Sequence, residues 1–337
     1  MMPDISVVIP TRNRPRLLTR AVHSALGQSF GNLEVLVVID GPDPATEAAI
    51  AEIADPRLRV VTVPKQAGAP NARNVGVREA RGEWAALLDD DDEWHPDKLG
   101  IQLELGRNAD VKTPIVISRL AMRTPRADLV MPRRLPDPGE PLCEYFTVRR
   151  GLFHGDGFIQ TSTILAPTEL LRRVPFDVTV PRCQELDWAL RALDHDDVDL
   201  VIAPDPLVIW HADENRSRIS SGSPWRRMLD WLRSHRGRLT PRAYAALAMS
   251  VVSSMAATTR SPRVFGMLLA EARRHGRPHV IDYVTYLQVW LIPPDLRRRL
   301  RDLIKGRRPA PEAAPEPVSE PLSEPVPEPE PVQAQPA

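Results

Sequence analysis

The 337-residue chain has few cysteines, no excess of charge and no glycine-rich phosphate loop, and each shortage excludes something. Cys143 and Cys183 are too few for a disulfide framework or a thiolate metal site, which suits a reducing compartment. Basic and acidic residues balance at 44 each, so no global field argues for a nucleic-acid partner. No apolar run reaches the roughly 20 residues that a membrane span needs. Met1 to Asp4 runs straight into Ile5-Ser6-Val7-Val8-Ile9, so no secretory leader is expected. The first turn reads Pro10-Thr11-Arg12-Asn13-Arg14-Pro15. It lacks Gly-x-Gly-x-x-Gly, which disfavours a dinucleotide-binding dehydrogenase, and a Walker loop is missing as well.

What the chain does have is alternation. Ile5 to Ile9, Leu33 to Ile39, Leu58 to Val63 and Trp84 to Leu88 are short apolar runs that read as buried strands. Between them lie stretches with helical spacing. Leu17, Leu18, Ala21, Val22, Ala25 and Leu26 form one, with Asn13 as its expected cap and Pro15 in its first turn. Pro44 to Ala54, Pro70 to Arg81 and Pro96 to Gly106 are three more. Strand and helix alternating four times predict a mostly parallel sheet with helices on both faces. Further strands are expected at Ile115 to Met122, Thr161 to Leu165, Asp199 to Ala203 and Leu207 to His211, with Thr124 to Glu140 a loop. Short helices are expected at Thr168 to Arg173 and Leu186 to Leu193.

After Pro224 only helices are expected, over Trp225 to Arg236, Pro241 to Thr259, Pro262 to His275 and His279 to Leu291. The organisation is therefore a sheet domain over 1–223, a helical region over 224–308, and a tail over 309–337. The tail repeats Pro and Glu with almost no large apolar residue, so it cannot bury a core and is expected to be disordered.

The fourth strand ends in four consecutive aspartates, Asp89 to Asp92. Two unit charges ~6 Å apart at an effective dielectric of ~20 repel by roughly 3 kcal/mol. Such a run needs full solvation or a counter-cation. Ligands gather beyond the carboxyl ends of strands in open α/β sheets, which favours the cation. Oxygen-only ligands suit Mg²⁺, Mn²⁺ or Ca²⁺.

Four stretches in order then resemble glycosyltransferase family 2 enzymes of the GT-A fold. Val7 to Arg14 is similar to their first strand and turn. Val37-Val38-Ile39-Asp40-Gly41-Pro42-Asp43 resembles their Asp-Asp-Gly-Ser-x-Asp, with Ile39 for the first Asp. Gly68 to Gly76 resembles their Gly-x-x-x-Ala-Arg-Asn-x-Gly. Leu88 to Trp94, with Pro96 and Lys98, resembles their Leu-Asp-x-Asp-Asp-x-Trp-x-Pro-x-Lys. Looser matches are Gln160 to Thr163, Glu185-Leu186-Asp187 with Arg191, and His211 with Ser217 and Ser220.

The resemblance implies that Pro10, Thr11, Arg14, Asp40, Arg73, Asp89 and Asp90 contact a nucleotide sugar. It implies that Asp91, with Asp89 and His211, holds Mn²⁺ or Mg²⁺ against the diphosphate. The catalytic base falls at Glu185, six residues before Arg191, with Asp187 as the second candidate. Blander roles stand beside these: a turn former at Asp40, a solvated helix residue at Arg73, a polar strand end at His211, a dipole-stabilised acid at Glu185. Cys183 has no His partner in view and reads as packed rather than nucleophilic.

The implied activity is inverting transfer from a nucleoside diphosphate sugar, with UDP the expected nucleotide, to a glycan or lipid-linked glycan in the cytoplasm. The alternatives are a non-catalytic nucleotide-sugar-binding module and a sugar nucleotidyltransferase. Seven cations between Arg297 and Arg308, interleaved with Leu296, Leu300, Leu303 and Ile304, add the expectation of peripheral contact with an anionic membrane.

Overall fold

The computed structural model describes residues 2–124, 127–151, 156–212, 224–292 and 296. The basic run at 297–308, the tail at 309–337, and Ser217 and Ser220 lie outside these.

The chain opens with β1 (Ile5–Thr11), α1 (Pro15–Leu26), β2 (Leu33–Ile39), α2 (Pro44–Ala51), β3 (Leu58–Thr62), α3 (Ala69–Glu79) and β4 (Trp84–Leu87). Every residue of β1, β2 and β4 is buried, as expected of strands covered on both faces. Asn13 does not cap α1. It adopts a left-handed φ of 53°, and Arg14 occupies the cap position without a side-chain bond. Asp43 does cap α2, accepting from the Thr46 amide at 3.2 Å. Helix α3 approaches β1 so closely that a Cβ at Gly76 would lie 2.3 Å from Val8 Cγ1, so glycine is required there.

Next come β5 (Asp92–Trp94), α4 (Lys98–Arg107), β6 (Thr113–Arg123), β7 (Asp128–Met131), α5 (Leu142–Thr147), β8 (Leu165–Pro167), α6 (Thr168–Arg173), α7 (Gln184–Ala192) and β9 (Val198–His211). Strands β5 and β7 were not expected. Each is three or four residues long, too short for periodicity to report, and each exists because a longer strand offers it an edge. Of the expected strand at Thr161 to Leu165, residues Thr161–Thr163 form a 3-10 turn, and only Leu165 lies in β8. Strand β9 is continuous where two strands were expected. Pro204 and Pro206 are accommodated by register shifts against β6 between Ser118 and Leu120, a bulge that spares the missing amides.

The sheet order is β3-β2-β1-β4-β8-β6-β9-β5, with β7 on β6. The pairings give β1, β2, β3, β4, β6 and β9 one direction and β5, β7 and β8 the other. The sheet is thus mostly parallel, as the alternation predicts.

The helices that follow are α8 (Trp225–Ser234), α9 (Pro241–Leu247), α10 (Ser253–Ala256), α11 (Pro262–His275) and α12 (Val280–Leu291). A π turn at Ala248–Val252 and a 3-10 turn at Ala257–Thr259 divide what spacing predicts as one helix over Pro241 to Thr259. Among the described residues no helix is long and apolar enough to cross a membrane.

Alternation along β1 builds two cores. Ile5, Val7 and Ile9 join Leu18 and Val22 of α1 on one face. Val8 faces the other side, in a cluster that continues through Trp188 to Met228, Trp231, Tyr244 and Tyr286. The helices after residue 224 therefore share a core with one face of the sheet.

Candidate functional site

The site lies at the carboxyl ends of β1, β2 and β4, where their backbones turn into loops. The four aspartates do not share one environment. Asp89 accepts from Arg73 Nη2 at 2.6 Å. Asp90 accepts from Thr11 Oγ1 at 2.8 Å and Arg14 Nη1 at 3.2 Å. Asp91 meets the same Arg14 nitrogen at 3.1 Å, and Arg20 Nη2 donates to its carbonyl at 3.1 Å. Asp92 is fully buried and accepts from Ser162 Oγ at 2.6 Å and Gln160 Nε2 at 2.7 Å. The counter-charges for the run are thus arginines of the chain itself.

Burial raises the Asp90 pKa to about 6, with the Asp91 charge adding and Arg14 and Thr11 opposing. For Asp92, burial and then the charges of Asp91 and Asp89 push the pKa well above the carboxylate range, against the Ser162 and Gln160 hydrogen bonds. Asp92 therefore serves as an internal anchor. Ser162 Oγ also accepts from the Asp89 amide at 3.0 Å, and the Ser162 carbonyl accepts from Trp94 Nε1 at 2.8 Å, so one serine ties both ends of the acidic loop. Lys98 is buried beneath, 4.0 Å from the Trp94 ring centroid and 2.5 Å from Gln102 Oε1; burial drives its pKa well down.

Asp40 is buried, and its carboxylate accepts from the amides of Ala67 and Gly68 at 2.8 and 2.9 Å. Here it holds the loop that starts α3, so that Arg73, one turn into that helix, is aimed at Asp89. Gly41 beside it has φ +94° and would carry a Cβ 2.9 Å from Arg12 Nη1, so the turn requires glycine. Pro10 is buried within β1, paired with Val38 of β2.

Arg73 also reaches the start of α7. Its Nη1 donates to Gln184 Oε1 at 3.2 Å, and its guanidinium lies 5.5 Å from the Phe176 ring centroid. Asn74 next to it donates to the Phe176 carbonyl and accepts from the Phe176 amide, both at 2.8 Å. These contacts bring the start of α7 to the aspartates. Glu185, in the first turn of α7, has its pKa raised by burial. Its own amide, Arg73 and Arg182 oppose, and the Asp89 charge adds. Glu185, Arg73 and Asp89 thus share one electrostatic neighbourhood.

Asp187, the second candidate base, does not face that neighbourhood. It is fully buried, and its carboxylate accepts from Arg191 Nη2 and Trp231 Nε1, both at 2.7 Å, with His235 Nε2 at 3.0 Å. Burial alone would raise its pKa, but His235, Trp231 and Arg191 outweigh it and hold the pKa low. A carboxylate enclosed in this way anchors α7 to α8. Cys183 caps α7 in a left-handed conformation of φ 58°, and burial pushes its thiol up to about 12, which fits a packed residue.

His211 ends β9, with Nε2 2.5 Å from Glu93 Oε1. Among the described residues no group of three His, Cys, Asp or Glu side chains is arranged to hold a metal ion. Arg20, Asn74 and Gln184 are site residues that the sequence reading missed. Asn74 and Gln184 lie beside motif residues, which is the only signal for them.

A model of Glycosyl transferase family 2 matches residues 6–135. The amylovoran biosynthesis glycosyltransferase AmsB of Erwinia amylovora is 30% identical over 253 residues, covering 72% of this chain and 81% of that protein. The UDP-Glc:alpha-D-GlcNAc-diphosphoundecaprenol beta-1,3-glucosyltransferase WfgD of Escherichia coli is 32% identical over 101 residues, 30% of this chain and 40% of that protein. Matches over about a hundred residues span 30% to 42% of those relatives' length. Among solved structures, S. aureus TarS 1-349 in complex with UDP-GlcNAc superposes with a TM-score of 0.50 at 15% identity, covering 85% of this chain and 79% of that one. At that identity the likeness concerns the fold. With AmsB matched along most of both chains, this protein is a member of glycosyltransferase family 2 with a GT-A fold.

Proposed function

We propose that the chain transfers a glycosyl unit, with inversion, from a uridine diphosphate sugar to a hydroxyl of a glycan or lipid-linked glycan. The observation that carries this reading is the path from the acidic loop to the start of α7, where Arg73 pairs with Asp89 and donates to Gln184, the residue before Glu185. A base whose pKa is raised towards the working pH is better suited to take a proton in the transition state. Glu185 accepts the acceptor hydroxyl proton while that oxygen bonds to the anomeric carbon and the bond to the diphosphate breaks. The electron pair leaves with the diphosphate. Arg14 and Arg73, paired with Asp91 and Asp89, are near enough to the acidic loop to turn toward the phosphates.

Asp89 and Asp91 offer hard oxygen donors, and Mg²⁺ sites often use one or two carboxylates completed by substrate phosphates and water. The donor set therefore fits a divalent cation held by Asp91 and Asp89, with His211 available only by leaving Glu93. When bound, such a cation offsets the charge on the departing diphosphate. The names of AmsB and WfgD, one in polysaccharide biosynthesis and one acting on a diphosphoundecaprenol-linked sugar, support the acceptor class. The seven cations of 297–308 support attachment to an anionic membrane on the cytoplasmic side.

The test is turnover of a panel of nucleoside diphosphate sugars, with Mn²⁺, with Mg²⁺ and with chelator, in wild type and Glu185→Gln. We expect UDP release with divalent cation, and a loss on the order of a hundredfold in Glu185→Gln at unchanged donor affinity. Pyrophosphate release from a nucleoside triphosphate would instead mark a nucleotidyltransferase. Donor binding with neither transfer nor hydrolysis would mark a binding module.

A further inference from the structure

We infer that the helical half carries a second anion site, separate from the acidic loop, which takes a phosphate or diphosphate group. It is a pocket of about 400 Å³ between α8 and the turn after it, α9 and α11, whose polar lining is Arg233, Arg236, Tyr244, Glu271, Arg274 and His275, with Met267 and Ala270 beside them. That volume suits a small anion or headgroup and is far too small for a folded partner.

The floor is buried and polar. Tyr244 and Glu271 are 1% and 8% exposed. Glu271 is fully engaged: it accepts from Arg233 Nε at 3.0 Å, Arg233 Nη2 at 2.6 Å and the Tyr244 hydroxyl at 2.7 Å. The Arg233 bonds, the Tyr244 hydroxyl and the nearby His275 outweigh burial and hold its pKa low, so it stays ionised and paired with Arg233. Arg236 and Arg274 have no hydrogen-bond or ion-pair partner among the described residues. His275 completes the rim, edge-on to the Tyr244 ring with centroids 6.1 Å apart. Two uncompensated guanidinium groups and an imidazole therefore surround a rigid floor.

Residues 224–292 themselves supply few anions, and outside them Asp194 pairs with Arg238. Residues 224–292 contain eleven arginines and three carboxylates, Asp230, Glu271 and Asp282. Two of those three carboxylates are already paired, Glu271 with Arg233 and Asp282 with Arg242. The planar fork of arginine matches phosphate oxygens in pairs, and two free forks suit a group of two or three negative charges. Helix α8 connects this pocket to the catalytic half: it bears Arg233, and it bears Trp231, whose indole binds Asp187 on the helix of Glu185. Soluble phosphoanions and the diphosphate of a lipid carrier share this chemistry. Assignment to the carrier rests on the acceptor class proposed above, whereas the anion site itself does not.

The test uses the full chain and the double variant Arg236→Gln/Arg274→Gln. Both side chains are exposed, so the variant should melt with wild type and bind UDP-sugar equally well. Calorimetry with inorganic pyrophosphate at low salt should show affinity about tenfold or more weaker in the variant. Co-sedimentation then compares vesicles of neutral lipid doped with a polyprenyl diphosphate against vesicles of equal surface charge made with phosphatidylglycerol. A preference for the diphosphate vesicles that the variant loses assigns the pocket to a lipid carrier. Equal partition, with the pyrophosphate loss intact, assigns it to a soluble phosphoanion. Pyrophosphate affinity unchanged in the variant overturns the site, whatever the turnover assay says about Glu185.

Discussion

The two halves of this enzyme handle charge in opposite ways. Residues 1–223 hold 33 acidic and 26 basic residues, and residues 224–292 hold three acidic and eleven basic ones. In the sheet half the acids gather at strand ends, and arginines from neighbouring loops and helices cover them, as Arg73 covers Asp89 and Arg14 covers Asp90 and Asp91. In the helical half two of the three acids are buried and paired, Glu271 with Arg233 and Asp282 with Arg242. On the reading proposed above, the arginines over the acidic loop give way to a cation and a diphosphate, and the anion site falls on the other half. Asp187 joins the two halves through Trp231 and His235.

The joint should be the most sensitive point. Asp187→Ala leaves Arg191 and His235 without their shared carboxylate, and breaking a buried pair typically costs roughly 3–5 kcal/mol. Denaturant melts should show that loss, and a stability within about 1 kcal/mol of wild type would mean the halves are not coupled there.

Next in size is the acidic cleft. Asp91→Asn should lose roughly 2–4 kcal/mol of transition-state stabilisation while the fold survives, read from kcat/KM with added Mn²⁺ or Mg²⁺. Near-normal turnover would break the assignment of donor chemistry to this half.

A pH series sharpens the contrast. Asp90, at about 6, keeps its proton in the folded chain where the unfolded chain has lost it. The folded state binds more protons between about pH 4 and pH 6, so this group's contribution to stability declines as pH rises through that window. Asp90→Asn should therefore stabilise the chain at pH 7 by roughly 2–3 kcal/mol, with the gain shrinking towards pH 4. A gain that stays constant with pH would show that Asp90 is not the titrating group.

The smallest effect is expected at the tail. Its six glutamates have no basic residue among them, and it lacks apolar anchors. Ending the chain at Arg308 should leave melting temperature and donor turnover unchanged. A clear fall in melting temperature would show that the acidic tail docks on the protein, with the basic half its natural host.

Much of the fold was legible because the strands that build it are mostly apolar runs, broken by few polar residues such as Ser6 and Glu34. β2 spans Leu33–Ile39, the run read from sequence, and α11 spans Pro262–His275, as its proline and glycine boundaries suggest. The short strands β5 and β7 were hidden because only their pairing to β9 and β6 makes them strands. The motifs named candidate site residues one by one; what holds those side chains in place was not legible. The partners of Asp90 and Asp91 stand 76 and 77 residues upstream on Arg14, a distance that no local pattern spans. Asp187 stood as a second candidate base because Trp231, which makes it an anchor, comes 44 residues later.

That anchor bears on how relatives could be recombined. Pro224 looks like a natural splice point, since element type changes there. A chimera cut at that point would take Trp231 and His235 from one parent and Asp187 from the other. The graft would need to bring its own donors to the buried carboxylate at that spot, or the helix carrying Glu185 would lose its brace. Joining after residue 235 keeps Asp187, Arg191, Trp231 and His235 from one parent, and is the safer seam for exchanging the outer helices.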